Sequence, residues 1–160
     1  PFRDKELSGI VMIDVLHHIP TPANFFKEAV RTLKPGGKIV MTEPANTLWG
    51  RFIYQNFHHE PFRPEAGWEI PSTGPLSGAN GALPWIIFNR DRAKFENEYP
   101  ELEIKSITHH TPLRYLISGG VSMKALVPAW SFGVITFLEK LIWPAARYFS
   151  MFQTIEIIKR

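Results

Sequence analysis

The stretch that decides the fold is Leu33-Lys34-Pro35-Gly36-Gly37-Lys38, followed by the apolar run Ile39-Val40-Met41 and then by Thr42-Glu43-Pro44. Pro35 cannot continue a helix, and the two glycines after it permit backbone angles that residues with a Cβ resist. The uninterrupted apolar run is typical of a strand that is covered on both faces. The stretch therefore predicts a helix end, a tight turn and a buried strand over residues 38–43.

A second apolar run, Gly9-Ile10-Val11-Met12-Ile13-Asp14-Val15, lies upstream and predicts a strand over residues 9–15. Between the two runs, residues 22–33 have the length and the apolar spacing of a helix. Thr21 stands at its N-cap position and Pro22 at its first helical position. Strand, helix and strand of this size form a βαβ unit, so we expect a right-handed crossover and two parallel strands.

Composition limits the class of protein. The chain has 160 residues, of which 44% are hydrophobic, and this is enough for one domain with a real core. The formal net charge of +3 is spread without a dense basic run, which argues against a nucleic-acid partner. There is no cysteine, so disulfides and thiolate metal sites are excluded, which fits a cytoplasmic protein.

The chain changes in character after Pro44. Residues 45–88 are rich in glycine, proline and aromatic residues, and we expect a variable lid or substrate-binding insertion there. A helix is predicted over residues 89–98 with Asn89 as its cap, and strands are predicted near 102–109 and 151–159.

Taken together, three segments resemble class I S-adenosylmethionine-dependent methyltransferases: Val11 to Pro20, Phe26 to Lys38, and Glu43-Pro44. The resemblance covers about residues 1–44 and corresponds to the second half of that family's Rossmann-like domain. It implies an α/β fold with a partial Rossmann-like sheet, in which a crossover helix joins the parallel strands 9–15 and 38–43. The two later strands would then form a carboxyl-terminal antiparallel pair. It also implies S-adenosylmethionine as the cofactor.

This sequence departs from the family at the cofactor side. It lacks the Gly-rich first strand and the acidic end of the second strand, and a very apolar strand begins about eight residues in. We therefore expect residues 1–160 to be one carboxyl-terminal part of a methyltransferase domain, inactive alone and a weak binder of the cofactor by itself. The resemblance assigns the remaining wall of the cofactor pocket to Ile13, Asp14, Val15 and Leu16.

His17 and Glu43 are the predicted catalytic pair. Ligands of an open parallel sheet lie beyond the carboxyl ends of the strands, and the two residues follow adjacent strands about 4.8 Å apart. A carboxylate beside an imidazole fixes its tautomer and stabilises the imidazolium, as a general base requires. The positions are similar to the catalytic histidine and the strand-end glutamate of some O-methyltransferases. The alternative is that His17 and His18 only cap the strand end and line the cofactor pocket.

Substrate contacts and metal binding are less constrained by the sequence. An aromatic and partly basic substrate pocket is predicted from His18, Trp49, Tyr54, Trp85, Arg114 and Tyr115. Ordinary packing of a lid explains the aromatic members equally well. The six histidines form three adjacent pairs, and neighbours on a strand point to opposite faces, so we expect no metal site.

The region 127–149 is helical and apolar by pattern. Its uncharged run is too short to span a bilayer, and we expect it to cover the pocket. Trp130, Phe132, Phe137 and Trp143 leave an interfacial helix, and thus a peripheral membrane contact, open as the alternative.

The sequence therefore predicts methyl transfer from S-adenosylmethionine to a small or lipid-like acceptor, most simply on oxygen, as part of a longer chain. A non-catalytic partner subunit and a peripheral lipid-binding module are the alternatives. The pattern is silent on the oligomeric state.

Overall fold

A four-stranded sheet with the strand order β1-β2-β4-β3 organises the chain. The computed structural model describes residues 2–71, 78–119 and 124–160. The strands are β1 (Leu7–Ile13), β2 (Leu33–Pro44), β3 (Leu102–His110) and β4 (Phe152–Lys159). The helices are α1 (Pro22–Thr32), α2 (Leu48–Phe57), α3 (Leu83–Trp85), α4 (Arg92–Glu98), α5 (Arg114–Ile117), α6 (Phe132–Leu141) and α7 (Ala146–Phe149). A π-helical turn over Ile86–Arg90 joins α3 to α4.

The predicted βαβ unit is present, with β1 and β2 parallel and α1 between them. Its boundaries differ from the prediction. Leu33 is already extended, with ψ of 140°, and pairs with Leu7, so β2 begins before the glycines and Gly36 makes its turn at φ of 78° inside the strand. Thr21 occupies the N-cap position, but its hydroxyl caps no amide. β1 ends at Ile13, two residues early, because Asp14 turns into the left-handed region.

β4 lies between β2 and β3 and is antiparallel to both. The α/β class and the antiparallel carboxyl-terminal pair are therefore confirmed. Lys159, at the end of β4, is buried and its Nζ donates to the carbonyl oxygens of Val30 and Leu33. It satisfies carbonyl groups that the end of α1 leaves without an intrahelical partner.

The core lies between α1, the sheet and the helical stretch from α3 to α4. Phe26 of α1 is fully buried and makes edge-to-face contacts with Phe88 and Phe95, at centroid distances of 6.0 and 5.1 Å. Such pairs add specific geometry to apolar burial. The packing joins α1 to the helical stretch from α3 to α4.

The insertion predicted over residues 45–88 is partly helical. Thr47 caps α2, since its Oγ1 accepts from the amide of Gly50 at 2.9 Å. Asn89 was predicted to cap a helix, and this is wrong, because Asn89 lies inside the π-helical turn before α4. Residues 72–77 of the insertion lie outside the described residues.

β1 forms one edge of the sheet and, within the described residues, pairs with β2 alone. Val11 and Ile13 point to one face of β1 and are 76% and 67% exposed. An apolar strand with a free edge and an uncovered face is a surface onto which further structure packs.

The region 127–149 does not cover the pocket that contains His17, which corrects the prediction. It forms short helices, most of whose apolar side chains are exposed, and none of its residues lines that pocket. Among the described residues, no helix is long and apolar enough to cross a membrane.

Candidate active site

The turn after β1 carries the site. Asp14 adopts φ of 53°, a conformation that aspartate tolerates better than most residues, while its amide still donates to Thr42 of β2. The chain then enters a 3₁₀ turn over Leu16–His18. This sharp reversal points the amides of Val15 and Leu16 towards the end of β2.

Glu43, at the end of β2, accepts the hydrogen bonds that the amides of this turn donate. It is fully buried, and its Oε1 accepts from the amides of Val15 and Leu16 at 3.0 and 2.7 Å. Its Oε2 lies 2.6 Å from Nδ1 of His17. A buried carboxylate needs such partners, because burial without them is costly.

His17 is 2% exposed, and its two ring nitrogens have different surroundings. Nδ1 faces Glu43, whereas Nε2 faces the carboxylate of Glu60 at 3.5 Å. Burial lowers the pKa of His17, but the hydrogen bond and the negative charge of Glu43, helped by Glu60, outweigh it and raise the pKa above its ordinary value. With Nδ1–H donating to Glu43, the neutral ring presents the Nε2 lone pair to the cavity.

Glu60 is a site residue that the sequence reasoning missed. Its carboxylate lies within 3.5–4.0 Å of ring nitrogens of four histidines, which are His17, His18, His58 and His59. The one sequence signal was its place directly after a histidine pair in a Pro-rich loop. The loop is held to the site from another side, because the amide of Asn80 donates to the carbonyl of His17.

These groups line a cavity of about 300 Å³ at the carboxyl ends of β1 and β2. Tyr54 forms an apolar wall, stacked on Phe62 at 5.1 Å, and its hydroxyl donates to the carbonyl of Met151. Burial raises the pKa of Tyr54 well above its ordinary value. The phenol therefore stays protonated and acts as a wall of the cavity.

The predicted substrate residues divide into two groups. His18, Tyr54 and Tyr115 line the cavity. The other three, Trp49, Trp85 and Arg114, do not. Their role in substrate binding stays a prediction. Trp49 donates from Nε1 to the carbonyl of Pro112, Trp85 packs against the core, and Arg114 pairs with Glu139 beside a second groove.

The predicted cofactor wall is also divided. Asp14 lines the cavity, whereas the side chain of Leu16 is fully buried in the core and its amide is used by Glu43. Ile13 and Val15 are exposed. Their role in cofactor binding remains a prediction.

Adjacent histidines were expected to lie on a strand and to point to opposite faces, and this expectation is wrong for His17 and His18. His17 and His18 lie in a 3₁₀ turn, where both rings approach Glu60. Within the described residues, two groups bring ligand atoms within 4.8 Å of one another: His17 with His18 and Glu60, and Asp14 with His17 and Glu43.

Comparisons with known proteins agree with this architecture. Residues 1–41 match a family model described as a methyltransferase domain. An uncharacterized methyltransferase of Mycobacterium leprae strain Br4923 and one of strain TN are each 27% identical over 134 residues. The match covers 82% of this chain and 43% of each relative, so the chain spans less than half the length of the curated relatives it matches.

Among solved structures, a putative S-adenosylmethionine dependent methyltransferase from Listeria monocytogenes is similar in fold. The superposition covers 100% of this chain and 64% of that one, with a TM-score of 0.50 and 11% identity. This likeness concerns the fold alone. Together with the family match, it bears out the resemblance seen in the sequence.

Proposed function

We propose that this chain is the carboxyl-terminal part of a class I S-adenosylmethionine-dependent methyltransferase that methylates a small or lipid-like acceptor on oxygen; the matched segment and the fold support the methyltransferase assignment. The observation that carries the proposal is the buried pair of His17 and Glu43, 2.6 Å apart, at the carboxyl ends of two parallel strands. General bases of this kind are oriented by a carboxylate on the far ring nitrogen.

The residues present fit a cationic cofactor on one side. The cavity wall carries the carboxylates of Asp14 and Glu60 together with the aromatic rings of Tyr54 and Phe152. Acidic and aromatic groups suit a sulfonium and an ammonium group. When bound, S-adenosylmethionine supplies an electrophilic methyl group. We propose Asp14 as the residue of this chain that holds its amino-acid portion.

His17 provides the acid–base part of the reaction. Its Nε2 accepts the proton of an acceptor hydroxyl, and Glu43 stabilises the imidazolium that results. Glu60, 3.5 Å from Nε2, is the next group along the path of that proton to solvent. Holding the acceptor against Nε2 in the walled cavity also aligns it for in-line attack.

The domain organisation is part of the proposal. We infer that residues 1–160 form one part of a larger sheet and that further strands pack beside β1. The exposed Val11 and Ile13 on the free edge of β1 support this, as does the 43% share of the curated relatives that the match covers. Residues 45–88 contribute Tyr54 and Glu60 to the cavity and act as the substrate-binding insertion.

The test compares His17→Gln with the unchanged full-length enzyme. Release of S-adenosylhomocysteine is followed with phenols and hydroxylated fatty acids as methyl acceptors. We expect turnover to fall about 10²- to 10⁴-fold, the usual range for the loss of a general base, while cofactor affinity stays near its original value. His109→Gln is the matched control, because His109 lies on β3 and does not line the cavity.

An unchanged rate in His17→Gln would rule out the role of base. The same assay is repeated after chelation and with added Zn²⁺, because an ion on Nε2 would occupy the lone pair that the base needs. Activity that survives chelation and is inhibited by Zn²⁺ supports the base. Activity that is lost on chelation and restored by the ion contradicts it.

A non-catalytic partner subunit is the second candidate, and the free edge of β1 is the observation that favours it, because a separate chain can also supply the neighbouring strand. Titration calorimetry of the 160-residue chain with S-adenosylmethionine tests both candidates, because each predicts that the chain alone lacks part of the cofactor site. We expect no micromolar isotherm from the chain alone. Binding that appears only on adding a second, different chain favours the subunit.

A further inference from the structure

Residues 124–149 form an exposed apolar surface, which we call the aromatic arm. Its central helix α6 carries apolar side chains around most of its circumference, and Phe132, Phe137 and Leu141 are all largely exposed. Trp130 and Trp143 flank α6 at its two ends and are 79% and 54% exposed. A helix that is hydrophobic all round is normally buried in a core or in lipid.

The acidic residue of the arm faces the body of the protein, and the cationic residues of the arm face outwards. Its only acidic residue, Glu139, is buried and faces the body of the protein, where its carboxylate accepts from the amides of Leu113 and Arg114 and pairs with the Arg114 guanidinium. The other charged residues of the arm are Lys124, Lys140 and Arg147, and all three are exposed. The outer surface of the arm is therefore apolar and cationic.

This cationic character accounts for the charge of the whole chain. Residues 111–150 contain four of the eighteen lysines and arginines and one of the fifteen acidic residues, so their net charge of +3 equals that of the entire chain. The remaining residues balance to zero. Positive charge therefore coincides with the exposed apolar surface, and this combination is complementary to an anionic lipid surface.

The dimensions of the arm indicate how it meets lipid. α6 has ten residues and is about 15 Å long, half of the roughly 30 Å thickness of a hydrocarbon core. The helix is thus suited to lie in the plane of the interface. Tryptophan side chains at both ends of α6 match the preference of this residue for the level of the headgroups.

We infer that the aromatic arm docks this chain on the surface of an anionic bilayer, with α6 lying in the interface. The inference extends the proposed function, because Tyr115 lines both the His17 cavity and the apolar groove beside the arm. An acceptor that leaves the bilayer would enter next to Tyr115. Docking itself does not require the transfer reaction.

The test measures sedimentation of the purified full chain with phosphatidylcholine vesicles, with and without phosphatidylglycerol, in the absence of cofactor. We expect binding to the anionic vesicles to be at least about thirtyfold tighter than to the neutral ones. The double variant Lys140→Gln/Arg147→Gln should lose about thirtyfold on anionic vesicles, since each cation near the surface contributes about fivefold.

The apolar contribution is tested with Phe137→Ser/Leu141→Ser, which should abolish sedimentation. Phe57→Ser is the matched control, because Phe57 is an exposed aromatic residue at the end of α2, outside the arm. Circular dichroism spectra of each variant should match the wild-type spectrum, as a control that the fold is kept. Because no cofactor is present, failure of this test is independent of failure of the methyltransferase proposal.

Three results would overturn the inference. The first is no binding to anionic vesicles, and the second is equal binding by wild type and the arm variants. The third is self-association that Phe137→Ser/Leu141→Ser removes, measured by light scattering without vesicles, because a second copy of the chain would then be what covers the arm.

Discussion

Replacement of Glu43 by glutamine tests the site at its centre. Oε1 of Glu43 accepts from two amides, those of Val15 and Leu16, and only an oxygen can do this. The oxygen of the glutamine side chain therefore stays on these two amides, and its NH₂ group faces Nδ1 of His17, where Oε2 of the carboxylate was. An NH₂ group there donates, so the neutral ring must carry its proton on Nε2 and loses the lone pair that faced the cavity.

The magnitude follows from the bond that is lost. A hydrogen bond to a charged group contributes about 1.5–3 kcal/mol, and one pKa unit corresponds to about 1.4 kcal/mol. Glu43→Gln should therefore lower the pKa of His17, because this carboxylate offsets the effect of burial. Turnover of the full-length enzyme should fall about 10²- to 10⁴-fold, as for the removal of the base itself.

Nuclear magnetic resonance titration of the imidazole signals measures the first effect directly. Glu28→Gln is the control, because Glu28 is an exposed carboxylate that pairs with Arg31 on α1 and does not touch the site. Stability offers a second readout. The folded pKa of His17 lies above the unfolded value of about 6.5, so the stability that the pair contributes is present below pH 6.5 and is lost as the pH rises through the folded pKa.

The free energy of unfolding of the wild type should accordingly decline over that pH window, and the decline should be absent in Glu43→Gln. A variant in which the pKa of His17 stays at the wild-type value would refute the reasoning, because the carboxylate would then contribute nothing to the basicity of the ring. A variant with a lowered pKa and full turnover would refute the catalytic role alone.

Three further substitutions, one of them with a matched control, test the fold by chemical denaturation. Phe26→Ala should lower the free energy of unfolding by about 3–5 kcal/mol, because it leaves a cavity among fully buried aromatic rings. Gly50→Ala should cost about 1–3 kcal/mol, since its Cβ would lie 2.5 Å from the carbonyl oxygen of Ala45, whereas Gly133→Ala, with nothing within 4 Å, should not destabilise. Lys159→Met should cost about 1–3 kcal/mol by leaving buried carbonyl groups at the end of α1 unpaired, and equal stability would contradict the capping role.

Local signals were sufficient for the βαβ unit. Pro22 begins α1, and the apolar runs on either side of the helix become parts of β1 and β2, although the two glycines lie inside β2 and do not precede it. These signals act over a few residues, so a sequence reader can weigh them without knowing what packs where. The antiparallel pairing of β3 with β4 came from the family resemblance. The place of β4 beside β2 was not predicted, because pairing across more than a hundred residues leaves no local mark.

The aromatic arm shows why burial was harder to predict. An apolar helix near the end of the chain has the composition of a core element, and the expected cover of the pocket followed from that composition. The structure gives the helix few partners and holds it through Glu139, a single inward carboxylate that no periodicity reveals. Composition measures how much apolar surface a helix has, and the partner that covers it is set by tertiary structure or by another molecule.

One part of the site followed from the sequence, namely the pairing of His17 with Glu43, and the contacts to Glu60 did not. The proximity of His17 and Glu43, whose nearest side-chain atoms are 2.6 Å apart, could be anticipated, because two parallel neighbours place their carboxyl ends side by side whatever the loops do. The convergence of His17 and His18 on Glu60 could not, because it needs the left-handed turn at Asp14 that ends β1 two residues early. Had the strand continued to Val15, adjacent histidines would more readily have pointed to opposite faces. One positive φ thus converts a strand end into a turn in which two imidazoles face the same carboxylate, and it is this turn that makes the edge of the sheet a chemical site.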